Sequence, residues 1–419
     1  MVEREVESVR ELAPIPHISE MRQFLAYGDC EEVLKSRDFV QGAHAESLAF
    51  FGDSLLMLDG DAHFERRRLE NKLFTKAALV YYESEALDPH IAQVIAEAAA
   101  SGRGADGVVR ADLCEMLPEM LARVTATITG IDGVNDPEST ERFRYFVDQL
   151  GRGSQVEWST EDHDEVVREI IEVRDQFVAE FYEASVQRRR DLIARRDAGE
   201  LDDAELPTDL LTLMYANWND QWGEHVPLNE ATLFLVAAID TTSHETPHVV
   251  RHLDEWFAAH PEDRARLDDP EFLRRAVYES IRLHLTAPAL LREASCPVDL
   301  SSGEQVSAGE LVACVFTGAN RDESVFGSDV ATFDLRRDTG ELNPWGLGFG
   351  GGVHMCIGRP LVVGLPRTER SDGTDGSMVR ILRALYAAGM ELDPADPPSY
   401  SEASHQDFYA RFPLLLRGL

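Results

Sequence analysis

The sequence predicts a mainly α-helical fold with small β-sheets, organised as one large domain over residues 1–419. Three observations carry this expectation. Long stretches place apolar residues at helical spacing, the segment 296–316 instead reads as short strands and turns, and no Pro/Gly/Ser-rich linker or internal repeat divides the chain. A hydrophobic content of 44% is enough to supply one sizeable core.

Residues 1–25 form a short N-terminal lead. Helices are expected at 62–74, 111–130, 138–151, 160–197, 228–246, 248–260 and 270–284. Within these, 229–246 is an apolar stretch that abruptly acquires an acid and two hydroxyls, Asp240-Thr241-Thr242, and its length without strict alternation favours a buried helix. Pro247 is expected to disturb that helix just beyond the motif. Near the C-terminus, Leu365-Pro366-Arg367 and Ser371-Asp372-Gly373-Thr374-Asp375-Gly376 place helix breakers at 365–377, and a helix resumes from Met378 to Ala388.

With 40 basic and 76 acidic residues, the net charge of −36 opposes binding to nucleic acid or acidic lipid. No run of about 20 apolar residues is present, and the first 30 positions show no charged-then-apolar signal pattern, so no membrane anchor is expected. Five scattered cysteines give no disulfide framework. A reducing cytoplasm is the expected location.

The most informative stretch is Phe349-Gly350-Gly351-Gly352-Val353-His354-Met355-Cys356-Ile357-Gly358, residues 349–358. Structural zinc needs four ligands, and iron–sulfur clusters need several cysteines in tight spacing. The other four cysteines, Cys30, Cys114, Cys296 and Cys314, are too scattered for either. Neither the lysine of a phosphate loop nor the acidic partner of a dinucleotide fingerprint is in place. A lone cysteine between glycines, with a histidine two residues before it, suits the approach of one thiolate to a flat group. Haem iron is the reading this favours.

Here the chain resembles the cytochrome P-450 haem-thiolate family, soluble bacterial type, whose signature reads Phe-Gly-x-Gly-x-His-x-Cys-x-Gly. Phe349, Gly350, Gly352, His354, Cys356 and Gly358 match every fixed position. The resemblance implies haem b (iron protoporphyrin IX) with Cys356 as the axial metal ligand, and His354 as a propionate partner. Phe349, Gly350 and Gly358 complete the binding loop. Ala237-Ala238-Ile239-Asp240-Thr241-Thr242 resembles the family's distal-helix motif, with Ala238 at a usual glycine, and implies a catalytic proton relay through Asp240 and Thr241.

Further matches follow in order. His63 and Arg67 lie one helical turn apart and resemble a propionate clamp, and Arg292 corresponds to the arginine of the other propionate. Glu279 and Arg282 resemble the family's structural Glu-x-x-Arg pair. The third basic residue of that group is replaced by Thr332 in Thr332-Phe333-Asp334, with Arg336 and Arg337 nearby; absence and a shifted supplier both remain open.

The implied activity is an oxygen-activating monooxygenase, an oxidoreductase that hydroxylates, desaturates or couples a small organic substrate in specialised metabolism. It would use O2 and electrons from a ferredoxin and ferredoxin reductase. The alternative is a haem-thiolate protein that does not use O2 plus donor electrons: a peroxide-using or isomerising enzyme, or a haem-based binding or sensing protein. Val236, Ala237, Ala287 and Leu290 are expected in the substrate pocket, with the loop 40–57 (Phe50, Phe51, Leu55) and the helical pair in 150–200. Arg66, Arg67, Arg68, Lys72, Arg359, Arg367 and Arg370 are the cations expected to meet an electron donor.

Overall fold

A computed structural model describes residues 16–419 apart from 44, 45, 370, 403 and 405. Most of the expected lead, and Arg370 of the cationic set, therefore lie outside the described residues. In chain order, the helices include α1 (Tyr27–Lys35), α2 (Gly60–Glu70), α3 (Leu113–Thr129), α4 (Pro137–Ser154), α5 (His163–Phe177), α6 (Glu183–Asp197), α7 (Val226–Ala259), α8 (Pro270–Leu283), α9 (Arg359–Val363) and α10 (Ser377–Ala387). The strands are β1 (Arg22–Phe24), β2 (Phe39–Gln41), β3 (Val109–Asp112), β4 (Ala289–Ala294), β5 (Val298–Asp299), β6 (Gln305–Val306), β7 (Leu311–Val315), β8 (Met390–Leu392), β9 (Ser399–Tyr400), β10 (Tyr409–Arg411) and β11 (Pro413–Leu416). The fold is mainly α with small sheets, as the sequence predicts.

Local chemistry sets the helix ends. The Asp112 side chain accepts from Cys114 N at 2.9 Å to start α3, which stops at Gly130 in the left-handed region (φ 86°). Asp136 and Ser139 form a capping box at the head of α4. Between α5 and α6 the wide turns Val178–Tyr182 keep one continuous rod.

The break expected at Pro247 does not occur: α7 runs unbroken through it. An interior proline costs about 3 kcal/mol in an isolated helix. Here Thr246, Pro247, His248, Val249 and Val250 are all buried, and α7 packs on α3, α4 and α8. Burial of every face of that turn outweighs the lost backbone bond.

Four strands pair in the order β1-β7-β4-β2, with β1 and β7 parallel and the remaining pairs antiparallel. The β2–β4 register sets Arg292 opposite Gln41. A second sheet, β3-β11-β8, joins the segment before α3 to the C-terminal strands. The main core lies among α3, α4, α7, α8 and α10, and a smaller one lies between the four-stranded sheet and α1.

The interruption after the cysteine is a looped-out excursion. Gly364 and Gly376 adopt φ +75° and +87°, and a Cβ on Gly364 would collide with the Thr374 carbonyl. Leu365 N donates to Thr374 Oγ1 (2.9 Å) and Thr374 N to Leu365 O (3.0 Å), closing the neck of the loop. Arg274, 2% exposed, donates to Thr374 O at 2.8 Å and pins that neck to α8. No helix among the described residues is long and apolar enough to cross a membrane.

Candidate functional site

Cys356 closes a tight loop, its N–H donating to Phe349 O at 2.8 Å. Gly350 and Gly352 hold φ +70° and +61°, and a Cβ on Gly352 would strike the Leu34 carbonyl of α1. The glycines thus let the loop press against α1. Cys356 lies deep in the protein, yet its sulfur is accessible, because its free surface opens into an internal cavity. Burial pushes the thiol up; the N–H groups of Gly358 and Arg359 and the cations Arg67 and Arg359 work the other way and favour the thiolate.

The cavity measures about 370 Å³. The loop lines it with Phe349, Gly350, His354, Cys356 and Gly358, and α7 with Ala237, Ala238 and Thr241. Along this largely buried helix, Ala237 and Thr241 are exposed, one turn apart, because they face that space. Leu55, Ala287 and Leu290 also reach it. Three expectations need correction. Val236 is 6% exposed and sits in the core, since one residue of helical phase turns it away from Ala237. Phe50 and Phe51 are core residues, and no residue of the helical pair in 150–200 lines the cavity. That wall comes instead from Phe74 and from Thr125, Ile128 and Thr129 of α3, whose apolar pattern reads as ordinary core in the sequence.

At one end the lining becomes basic. His63 and Arg67 project from α2 and Arg292 from β4. Arg67 donates to Met355 O (2.6 Å), and Arg292 to Gln41 Oε1 (2.7 Å), its partner in register. The His63 and His354 rings lie 4.2 Å apart, and His354 Nε2 donates to Asp59 Oδ1 at 3.0 Å. Burial, then the charges of His354 and Arg67, lower His63 to about 4, so its ring is neutral at physiological pH. Burial opposes ionisation of Asp59, but hydrogen bonds from His354 and Gln41 N hold it below its ordinary value. Asp59 is absent from the sequence reading, and Gln41 enters it only within the loop 40–57; the register that sets Gln41 beside Arg292 exists only across strands.

The two residues expected to act together diverge. Thr241 faces the cavity and its Oγ1 donates to Ala237 O at 2.7 Å, within an uninterrupted helix. Asp240 does not line the cavity: its carboxyl fits into the space left by Gly151 on α4, where a Cβ would collide with it. Burial, reinforced by the charge of Asp148, raises Asp240 well above the usual carboxylate range. Glu245, one turn past Thr241, does line the cavity. The four-residue spacing from Thr241 was the signal for it.

Glu279 and Arg282 form a bidentate buried pair, 2.8 Å in each arm. Arg337 Nε adds a third bond at 2.9 Å to Glu279 Oε1, so the base missing at Thr332 is supplied five residues later. Arg66 leaves the cationic surface set, because its side chain is buried on Glu230.

These residues fit a haem. A flat apolar group needs an apolar slot, an anionic donor with its charge supported, and cations for the propionates. The cavity offers a mostly apolar lining, a sulfur facing two N–H groups, and Arg67 and Arg292 at one end.

Comparison with known proteins gives a consistent result. The family model described as Cytochrome P450 matches residues 24–362. Cyclomarin C epoxidase CymV of Salinispora arenicola is 29% identical over 84% of this chain and 78% of its own length. A steroid C26-monooxygenase of Mycobacterium tuberculosis is 27% identical over 83% and 82%. Among solved structures, CYP109E1 of Bacillus megaterium in complex with testosterone superposes with a TM-score of 0.68 at 19% identity, covering 95% of this chain and 94% of that one.

Proposed function

The chain belongs to the cytochrome P450 family, and from that premise we propose that it oxidises a largely apolar compound of specialised metabolism. It is an oxidoreductase of the P450 monooxygenase class, and its cofactor is haem b. Relatives named as a cyclomarin C epoxidase and as steroid hydroxylases support a bulky apolar substrate, as does the lining around Ala237, Ala287 and Leu290.

In this reading the Cys356 thiolate would hold the haem iron. The observation that carries it is the sulfur at the floor of an apolar cavity with the N–H groups of Gly358 and Arg359 directed at it. Arg67, Arg292, His63 and His354 would hold the propionates, with Phe349, Gly350 and Gly358 shaping the loop on the cysteine side of the cavity. Bound there, the haem supplies a thiolate-ligated iron that activates O2 for insertion of one oxygen atom into the substrate. Thr241 presents a hydroxyl to the cavity with its hydrogen committed to Ala237 O, so its lone pairs are free to receive a proton. We assign Asp240, whose carboxyl burial raises well above the usual carboxylate range in its slot on α4, as the acid that partners that hydroxyl. Glu279, Arg282 and Arg337 keep the segment before the loop in place.

Electrons reach the site from a redox partner, for which we assign a ferredoxin with its reductase. Exposed Arg68, Lys72 and Arg367 give such an acidic partner a local counter-charge on an acidic protein. A cytoplasmic location accords with five unpaired cysteines and the lack of a membrane helix among the described residues.

Two measurements test the reading. The reduced protein with carbon monoxide should give the red-shifted haem-thiolate band, and Cys356→Ser should abolish it. A screen of apolar compounds by optical spin-state shift should then find a ligand; retention of the band in Cys356→Ser sinks the assignment.

A further inference from the structure

We propose that Glu245 is a second proton donor to the cavity, supplied through a buried histidine cluster on the α8 side of α7, separate from Asp240 on the α4 side. The inference rests on the haem reading above.

Glu245 is 4% exposed and borders two spaces at once. One is the large cavity, which it shares with Thr241 one turn away. The other is a small chamber of about 20 Å³, bordered also by His244, His248, His284, Gln406 and Arg321. That volume admits one water, which needs two to four polar partners. Partners are at hand: Gln406 Oε1 and His244 Nδ1 border the chamber, and both are buried with no hydrogen bond among the described residues. Leu283, Leu285, Pro288 and Phe408 supply the apolar part of the lining, and the orphaned polar groups among them call for a water.

Behind Glu245 the polar contacts continue. Ser280 Oγ donates to Glu245 Oε1 (3.4 Å) and stands 3.0 Å from His252 Nδ1. The His284 ring stacks on His248 at 4.2 Å and lies 5.0 Å from His252. His248 Nε2 donates to Asp407 O at 2.9 Å, and Asp407 is half-buried, so the histidine cluster reaches the edge of the protein there. The sequence builds this with one device: His244, His248 and His252 recur every four residues, so they stack along one side of α7.

The protonation states of Glu245 and His244 suit a donor beside a neutral carrier. Burial raises Glu245 to about 8 against the opposing hydrogen bond from Ser280, so the carboxyl carries a proton at neutral pH. Burial lowers His244 to about 4, leaving its imidazole neutral. A neutral imidazole takes a proton at one nitrogen and releases one from the other. Glu245 therefore gives its proton toward Thr241 Oγ1 as that hydroxyl passes its own proton on into the cavity, and the carboxylate takes one back from an N–H of the histidine cluster, whose imidazole is refilled at its other nitrogen from solvent. Only protons move.

Infrared spectroscopy of the haem-loaded protein decides this without turnover. Wild-type protein at neutral pH should show a protonated-carboxyl C=O stretch that is missing in Glu245→Gln. Transfer to D2O should shift that band quickly in wild type, and about tenfold or more slowly in His248→Phe, given the size of effects carried by positioned acid–base groups. His284→Gln takes its place if His248→Phe fails to load haem. Absence of a Glu245-dependent band, or exchange at wild-type speed in the histidine variants, overturns the proposal. Failure of the haem reading is separately visible, as a wild-type protein lacking the carbon monoxide band.

Discussion

Arg337 Nε lies 2.9 Å from Glu279 Oε1, on the same carboxylate that Arg282 grips from one turn along α8. Arg337 also donates to the carbonyls of Phe326, Asp329 and Thr332, so one guanidinium ties the segment before the cysteine loop to α8. Its side chain is 8% exposed and that of Glu279 is 6% exposed. Removing one partner from a buried ion group costs about 3–5 kcal/mol. Arg337→Ala should therefore lower stability by that order in chemical denaturation and reduce haem loading. Arg336→Ala, at a side chain 63% exposed, should change stability by less than about 0.5 kcal/mol. Equal effects of the two would remove Arg337 from the trio.

Thr241→Ala removes a hydroxyl from the cavity and leaves its apolar wall in place. If the hydroxyl conveys protons, electrons consumed per product should rise by about tenfold or more, with peroxide released instead. The carbon monoxide band should stay as in wild type. Unchanged product per electron, measured with a substrate from the spin-state screen, counts against the relay.

Gly151 and Asp240 offer a test of packing. A Cβ at Gly151 collides with the Asp240 carboxyl, so Gly151→Ala should destabilise by about 1–3 kcal/mol. Asp240→Ala in the same chain should relieve most of that cost, a coupling that a double-mutant cycle reads directly. Additive effects would mean that the carboxyl lies elsewhere.

What the sequence disclosed depended on distance along the chain. The cysteine loop was legible because its fixed positions fall within ten contiguous residues, and His63 and Arg67 because a helix brings i and i+4 together. Arg337 was not, since its place on Glu279 depends on how a turn folds back onto α8. The direction of Asp240 was equally hidden: it is fixed by the gap at Gly151, a residue 89 positions earlier and on another helix. Pro247 misled for the same reason, because local propensity says nothing of the burial around it.

The excursion after α9 should be dispensable for folding. Its neck is held by Leu365 and Thr374, while the Arg367–Asp375 pair is half-exposed on the arginine side and worth little. Replacing 366–373 by a two-residue turn shortens a loop whose closure entropy varies only slowly with length, about 0.6 kcal/mol per doubling. Melting temperature and the carbon monoxide band should survive. A changed rate of reduction by ferredoxin with both retained would assign the loop to partner contact, and loss of the band would show that it supports the thiolate loop.

Glu245 ties stability to pH with a definite sign. Its carboxyl is raised from 4.5 to about 8 by burial, so the folded state holds a proton that the unfolded chain releases near the ordinary value. The stability from that neutral carboxyl is complete below about 4.5 and is lost as pH climbs through about 8. The groups facing it are His244, His248, His284 and Arg321 across the small chamber, and Ser280 with His252 on the α8 side. His244, already lowered to about 4, stays neutral across that window and does not mask the effect. Glu245→Gln keeps the shape and cannot ionise. The difference in unfolding free energy, wild type minus variant, should therefore fall by an amount on the order of a few kcal/mol between acidic and mildly alkaline pH. Denaturation curves of the two proteins that run parallel across that range would show that Glu245 is already ionised in the fold, and with it the donor role would fail.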